Sequence, residues 1–165
     1  MIDENRLSSI RSQTGLTLPD DDTYLYHLGV ALYGFSWVNS FMTEIICHID
    51  DQQDRTKLLD LESGKVLVKF SETLNRIRTA NRFPEIYSDM EQVVELFERL
   101  NSERTDFVHA YPITNEKKGQ ILQRRKDSKR KYFEVTNDFL DSFTSQFNDV
   151  VSLLYKIRKV VKPSL

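Results

Sequence analysis

Apolar positions recur every three or four residues through most of the chain, so the pattern reads as helix after helix. Residues 3–19 are the weakest stretch. Leu7 and Ile10 suggest a short arm or helix that runs into Gly15 and Pro19. Asp20, Asp21 and Asp22 then offer an N-cap and first-turn negative charge to a long helix. Its stripe is Leu25, Leu28, Leu32, Phe35, Val38, Met42, Ile45 and Ile49. Gly29, Ala31 and Gly34 flank the stripe, and small residues there are expected to admit a neighbouring helix. Asp50 to Asp54 is a polar break, and residues 55–62 fit neither period. From about Lys65 a second helix carries Leu67, Phe70, Leu74 and Ile77 and ends near Asn81, before Phe83-Pro84.

Pro84 and Glu85 suit a third helix start, followed by Ile86, Met90, Val93, Phe97 and Leu100, then Arg104, then Phe107 and Val108. The period changes between Thr114 and Val135. Ile121-Leu122 and Tyr132-Phe133 flank a turn-like Asp127-Ser128, which predicts a short β-hairpin or an irregular flap. Thr136 or Asn137 can cap a last helix with Phe139 or Leu140, Phe143, Phe147, Val150, Leu154, Ile157 and Val161, ended by Pro163. The expectation is an all-α protein: an up-down four-helix-type bundle over residues 20–165, with a short basic hairpin or flap before the last helix and residues 1–19 as an N-terminal arm or short helix.

Length and composition change this picture little. At 165 residues, 39% hydrophobic and 29% charged, the chain is one ordinary globular domain by size. A net charge of −2 points to no polyanion, so any such signal must be local. The single Cys47 cannot close an intrachain disulfide, which favours a reducing compartment. No run of about 18 apolar residues occurs, and the N-terminus lacks the order of a signal peptide. A soluble cytoplasmic protein, with no membrane partner, is expected.

Candidate chemistry centres on Arg104. At about 100° per residue it falls near the middle of the stripe formed by Ile86, Met90, Val93, Phe97 and Leu100. An inward-facing arginine must be paired or must line a wet cleft, because a charge buried alone costs several kcal/mol. A snorkelling arginine or a structural ion pair is the plain alternative. His109 follows five residues later, about 140° further round an ideal helix. The two side chains therefore converge only if the helix frays, which Pro112 would favour, or if two copies of the site meet. Downstream, Lys117, Lys118, Arg124, Arg125, Lys126, Lys129, Arg130 and Lys131 oppose only Asp127, a net +7 within residues 117–131. Such a cluster beside Tyr132 and Phe133 can dock RNA by charge and stacking, or can be a solvated face. His27, His48 and Cys47 lack metal-ligand spacing, and no Gly-rich phosphate loop or G-x-S-x-G occurs, so no metal and no cofactor are expected.

Arg104-Thr105-Asp106-Phe107-Val108-His109 resembles the R-x4-6-H motif of the HEPN superfamily of helical bundles, and Ala110-Tyr111 extends it to the H-x-Y form of the toxins paired with nucleotidyltransferase antitoxins. The architecture agrees over residues 20–162, whereas the motif itself spans a few residues. The residue after the arginine, commonly Asn, Asp or His in active members, is Thr105 here, with Asp106 next. The resemblance implies metal-independent RNA cleavage, in a toxin or phage-defence setting. His109 would be the general acid/base, Arg104 would hold the phosphate, and Thr105 and Asp106 would support the site. Tyr111 would position substrate or accept an inactivating nucleotide. It also implies a homodimer with both motifs in one cleft and, in the toxin branch, an antitoxin or nucleotidyltransferase partner. The alternative within the same resemblance is a non-catalytic module that binds a protein, nucleotide or RNA.

Overall fold

The structure is a computed structural model that describes residues 4–116, 119–125 and 132–163, with side chains for all of these except 4, 5 and 125. Six α-helices and three strands follow in the order α1 (Glu4–Thr14), α2 (Asp22–Ile49), α3 (Arg55–Leu59), α4 (Ser63–Thr79), a 3-10 turn (Pro84–Ile86), α5 (Tyr87–Val108), β1 (Tyr111–Asn115), β2 (Gly119–Arg125), β3 (Tyr132–Val135) and α6 (Asn137–Val161). The caps form where the sequence puts them. Asp21 accepts the Tyr24 N–H at 3.1 Å to open α2, and Thr136 accepts the Phe139 N–H at 3.2 Å to open α6. α3 accounts for the stretch 55–62 that had no clear period.

Two expectations about the architecture need correction. The chain is mostly helical but not all-α, because residues 111–135 build an antiparallel sheet of order β1-β2-β3 rather than a lone hairpin. Tyr111 pairs with Gln123 and Asn115 with Gly119, while Leu122 pairs with Val135 and Arg125 with Tyr132. Ile121 and Val135 enter the core, and the Leu122 N–H donates to the Tyr24 hydroxyl, tying the sheet to the first turn of α2. The helices also do not alternate up and down. α2 and α6 run parallel, as successive contacts of His27 with Asp141, Phe41 with Tyr155 and Glu44 with Arg158 require. α4 is parallel to both, since Arg76 near its end pairs with Asp50 at the end of α2. Only α5 runs the other way, with Arg78 of α4 meeting Glu91 and Phe107 meeting Phe143 of α6. The physical reason lies in the connector. Residues 50–62 fold back along α2, where Arg55 reaches Ser40 and Glu44, so α4 restarts partway down the bundle.

That late start shapes everything below it. Gly64, in the first turn of α4, faces Asn101 of α5, one turn short of Arg104. Below that level α2, α5 and α6 continue towards the sheet, and residues 16–19 line a cavity with Leu25, Leu28 and the strand residues Ile113 and Ile121. The base is filled by aromatic rings, with Phe133 against Phe139 and Phe107 against both Phe139 and Phe143.

The phase of α2 differs from the expected stripe in its first turns. Tyr24, Ala31, Phe35 and Val38 are buried, whereas Leu25 and Leu28 are half-buried and Leu32 is 46% exposed. Trp37 is partly exposed, its ring edge-on to Phe41. The small residues divide as well. A Cβ at Gly34 would overlap the Phe147 ring, so that glycine does admit α6, and Ala31 is buried, but Gly29 faces open space.

Candidate functional site

Arg104 lies in the last full turns of α5 and faces inward, as the phase of its helix requires. Its guanidinium carbon sits 5.4 Å from the centre of the Phe35 ring, which itself stacks on Phe97 at 5.3 Å. A cation over an aromatic face gains on the order of 1 kcal/mol. That is far from the full compensation a charge receives in a carboxylate pair. Arg104 Nε is buried and makes no hydrogen bond, and among the described residues no carboxylate lies within ion-pair distance of this side chain. Other arginines of the bundle are paired: Arg76 with Asp50, Arg78 with Glu91, Arg158 with Glu44.

His109 is the C-cap of α5, with φ −99° and ψ 11°, and its side chain is exposed. Its backbone N–H donates to the Thr105 carbonyl at 3.3 Å, so helical hydrogen bonding continues through this residue. The helix does not fray before the proline. Arg104 and His109 therefore keep their separation of about 140° around the helix, and within one chain they stand on different faces.

The residues between them are committed to the fold. Thr105 Oγ1 donates to the Asn101 carbonyl at 2.8 Å, the back-bonding habit of a helical threonine. Asp106 pairs with Arg124 at 3.1 Å, and the same Arg124 Nη1 donates to the Thr105 carbonyl at 2.5 Å. Nothing basic lies in the last turn of α5 itself, so Arg124 supplies from β2 the positive charge that a helix C-terminus favours. Arg124 thus clasps the sheet to the helix, a role the sequence did not suggest. Tyr111 opens β1 and is exposed, two residues from His109.

The register of the sheet places the backbone of two basic residues, Arg124 and Arg125. Tyr111 lies opposite Gln123, so Arg124 and Arg125 continue β2 past the start of β1, beside the end of α5. The residues that follow them in the chain include Lys126, Lys129, Arg130 and Lys131. These four, together with Lys117 and Lys118, lie outside the described residues, and of Arg125 only the backbone is described.

The remaining histidines and the cysteine have structural surroundings. His27 lies 3.5 Å from Asp141, and His48 lies 3.4 Å from Glu44. Burial pushes the Cys47 thiol above its ordinary pKa, and its Sγ contacts the Gln53 carbonyl. Among the described residues no group of three or more His, Cys, Asp or Glu could hold a metal ion. No helix is long and apolar enough to cross a membrane, again among the described residues. Phe35 was read only as core, yet it is the surface on which Arg104 rests; its place one helix away could not be read from the pattern of α5. Family models, curated proteins and solved structures yield no match to this chain.

Proposed function

We propose that the protein is a metal-independent endoribonuclease of HEPN type, with Arg104 and His109 as its catalytic pair in a cleft completed by a second copy. The unpaired Arg104 carries this reading. A half-buried guanidinium with an unsatisfied Nε and no carboxylate beside it among the described residues suits an anion, and a phosphodiester meets it with charge and bidentate geometry. The imidazole of His109 can take the proton of a ribose 2′-hydroxyl or return one to the leaving oxygen, the general acid/base work that histidine performs most often. The same reaction asks the arginine to stabilise charge growing on the phosphoryl oxygens. No step needs a metal ion. Helical hydrogen bonding that reaches the His109 N–H supports a pair assembled from two chains. The basic residues that follow Arg124 in the chain would hold the RNA backbone.

A second reading has its own observation. With the Thr105 hydroxyl spent on Asn101 and Asp106 on Arg124, the residues that would support catalysis serve the fold, as expected of a module that binds RNA, a nucleotide or a protein without cutting. A cytoplasmic toxin or phage-defence effector held by an antitoxin or nucleotidyltransferase is the setting we propose for the catalytic reading.

The test is cleavage of single-stranded RNA in the presence of EDTA. His109→Ala is expected to lower the rate by about a hundredfold or more relative to wild type. Equal rates would remove His109 from the reaction, and an inactive wild type that still binds RNA would select the second reading.

A further inference from the structure

Residues 15–19 read Gly-Leu-Thr-Leu-Pro, two leucines in a stretch that belongs to no helix or strand. Gly15, at φ +62°, turns the chain out of α1 in a conformation that favours glycine, and Pro19 stiffens the return towards α2. The strap between them runs beside the first turns of α2 and beside β1 and β2, and a cavity of about 450 Å³ remains there. Leu18, Leu25 and Leu28 line it, together with Ile113 and Ile121, which are partners across the two strands. Among the described residues, no hydrogen bond ties residues 16–19 to α2 or to the sheet. Apolar surface kept in water costs about 25 cal/mol per Å², yet Leu16 stays 68% exposed and Leu25 and Leu28 stay half-buried. The strap does not close the space with its own leucines.

We propose that this cavity is a binding site for a small uncharged molecule, an aliphatic chain that carries a carbonyl oxygen. Its volume falls within the range of about 300–1,000 Å³ usual for small-molecule sites. None of the residues that line it is charged, so a carboxylate or ammonium head would lose its water and find no counter-ion. The walls are mostly leucine, isoleucine and proline, which suits a flexible hydrocarbon better than a ring that gains from stacking. A buried donor selects the head. Tyr24 is 3% exposed, and its hydroxyl accepts the Leu122 N–H at 2.9 Å but donates to no described residue. Tyr24 and Leu122 both line the cavity, which puts that hydroxyl at its wall. Burial raises the Tyr24 pKa, so the oxygen keeps its proton at neutral pH. A carbonyl oxygen can take that proton, which a pure hydrocarbon cannot.

Water is a poor occupant of so apolar a space, because each molecule needs about two to four polar partners. The strap supplies the way in, since no hydrogen bond to α2 or the sheet has to break for residues 16–19 to lift. Arg104 and His109 are not among the lining residues, so the site stands apart from the proposed catalytic pair.

The test uses the full chain and N-phenyl-1-naphthylamine, an uncharged dye whose fluorescence rises in apolar surroundings, with 2-decanone and decanoate as competitors. The wild type is expected to bind one dye per chain at micromolar concentration. At neutral pH the ketone should displace it at concentrations at least about tenfold lower than the carboxylate, which alone carries a charge. Leu28→Trp fills the cavity and leaves the outer face of α2 as it is. With its helical circular dichroism unchanged, it is expected to weaken dye binding at least about tenfold. Tyr24→Phe is expected to weaken the ketone by roughly fivefold and the dye by less. A wild type that binds no dye would overturn the proposal, and so would decanoate that competes as well as the ketone. Undiminished binding by Leu28→Trp would overturn it too, because the dye would then sit elsewhere, as on the exposed Tyr26 and Tyr33. Equal ketone affinity in Tyr24→Phe would overturn the choice of a carbonyl head. Should Leu28→Trp fail to fold, Leu25→Trp replaces it, and the comparison of ketone with carboxylate needs no variant. No readout uses RNA, so this site and the catalytic reading stand or fall separately.

Discussion

α5 and α2 break the same rule in opposite directions. α5 turns Glu91, Glu95, Glu98 and Arg99 to solvent and is an ordinary amphipathic helix except at one inward position, Arg104. α2 is ordinary on its inward side, with Phe35, Val38 and Met42 buried, and departs from the rule outward, where tyrosine and leucine meet water. A charge inside and an apolar face outside both cost stability in an isolated monomer. Both occur towards the same end of the bundle, on opposite sides of α2, since Tyr26 and Tyr33 lie about 160–180° round the helix from the Phe35 ring under Arg104. The difference teaches that, among the described residues, this end of the bundle leaves α5 an arginine with no carboxylate beside it and α2 an apolar face in water.

The largest expected effect separates the inward arginine from the fold. Arg104→Met should lower RNA cleavage by about two to three orders of magnitude, the usual cost of removing a group that stabilises transition-state charge. Its unfolding free energy in urea should stay level or rise by ~1 kcal/mol, since a poorly compensated buried charge is replaced by an apolar chain. A loss of several kcal/mol would instead make Arg104 a structural residue and erase the contrast with α2.

The next effect sharpens the two glycines of α2. Gly34→Ala puts a methyl group into the Phe147 ring and should cost ~1–3 kcal/mol. Gly29→Ala meets open space and, in protein dilute enough to be monomeric, should gain up to ~1 kcal/mol from helix propensity. Thermal melts of both variants decide the point. Equal effects would mean that the two sides of α2 are not distinguished by packing.

The smallest effect concerns pH. The side chain of Asn137 and the Tyr24 N–H hold the Asp21 carboxyl below its ordinary range, and Gln53 and Arg76 do the same for Asp50. Carboxyls depressed in the folded state contribute stability that is fully present above the unfolded pKa of about 4 and is lost as pH falls through the folded values. The melting temperature should therefore drop between about pH 4 and pH 2, and Asn137→Ala should shrink that drop. An unchanged profile would remove the Asp21 contribution.

Much of the bundle was legible because its signals are local. The Asp20-Asp21-Asp22 run opened α2, Thr136 opened α6, and the strong phase of α5 put Arg104 on the inside. The rest depends on distant partners. β1 was hidden by Pro112, which reads as a helix stop, and by the pairing of Ile113 with Ile121, which no local window contains. The parallel course of α4 follows from Arg55 finding Ser40 and Glu44, a long-range event. The burial phase of α2 was misjudged at Leu32 because a helix apolar all round fits more than one stripe. For the site, the inward arginine was readable, but that no described carboxylate reaches it was not, because ion pairs join residues far apart in the chain.

The central claim is that Arg104 of one copy and His109 of another form one site. Arg104→Ala and His109→Ala should each be inactive against single-stranded RNA, while their mixture, after subunit exchange, should recover about a quarter of wild-type cleavage, because half the dimers are hybrid and each hybrid keeps one intact pair. A mixture as inactive as either variant alone would contradict the account.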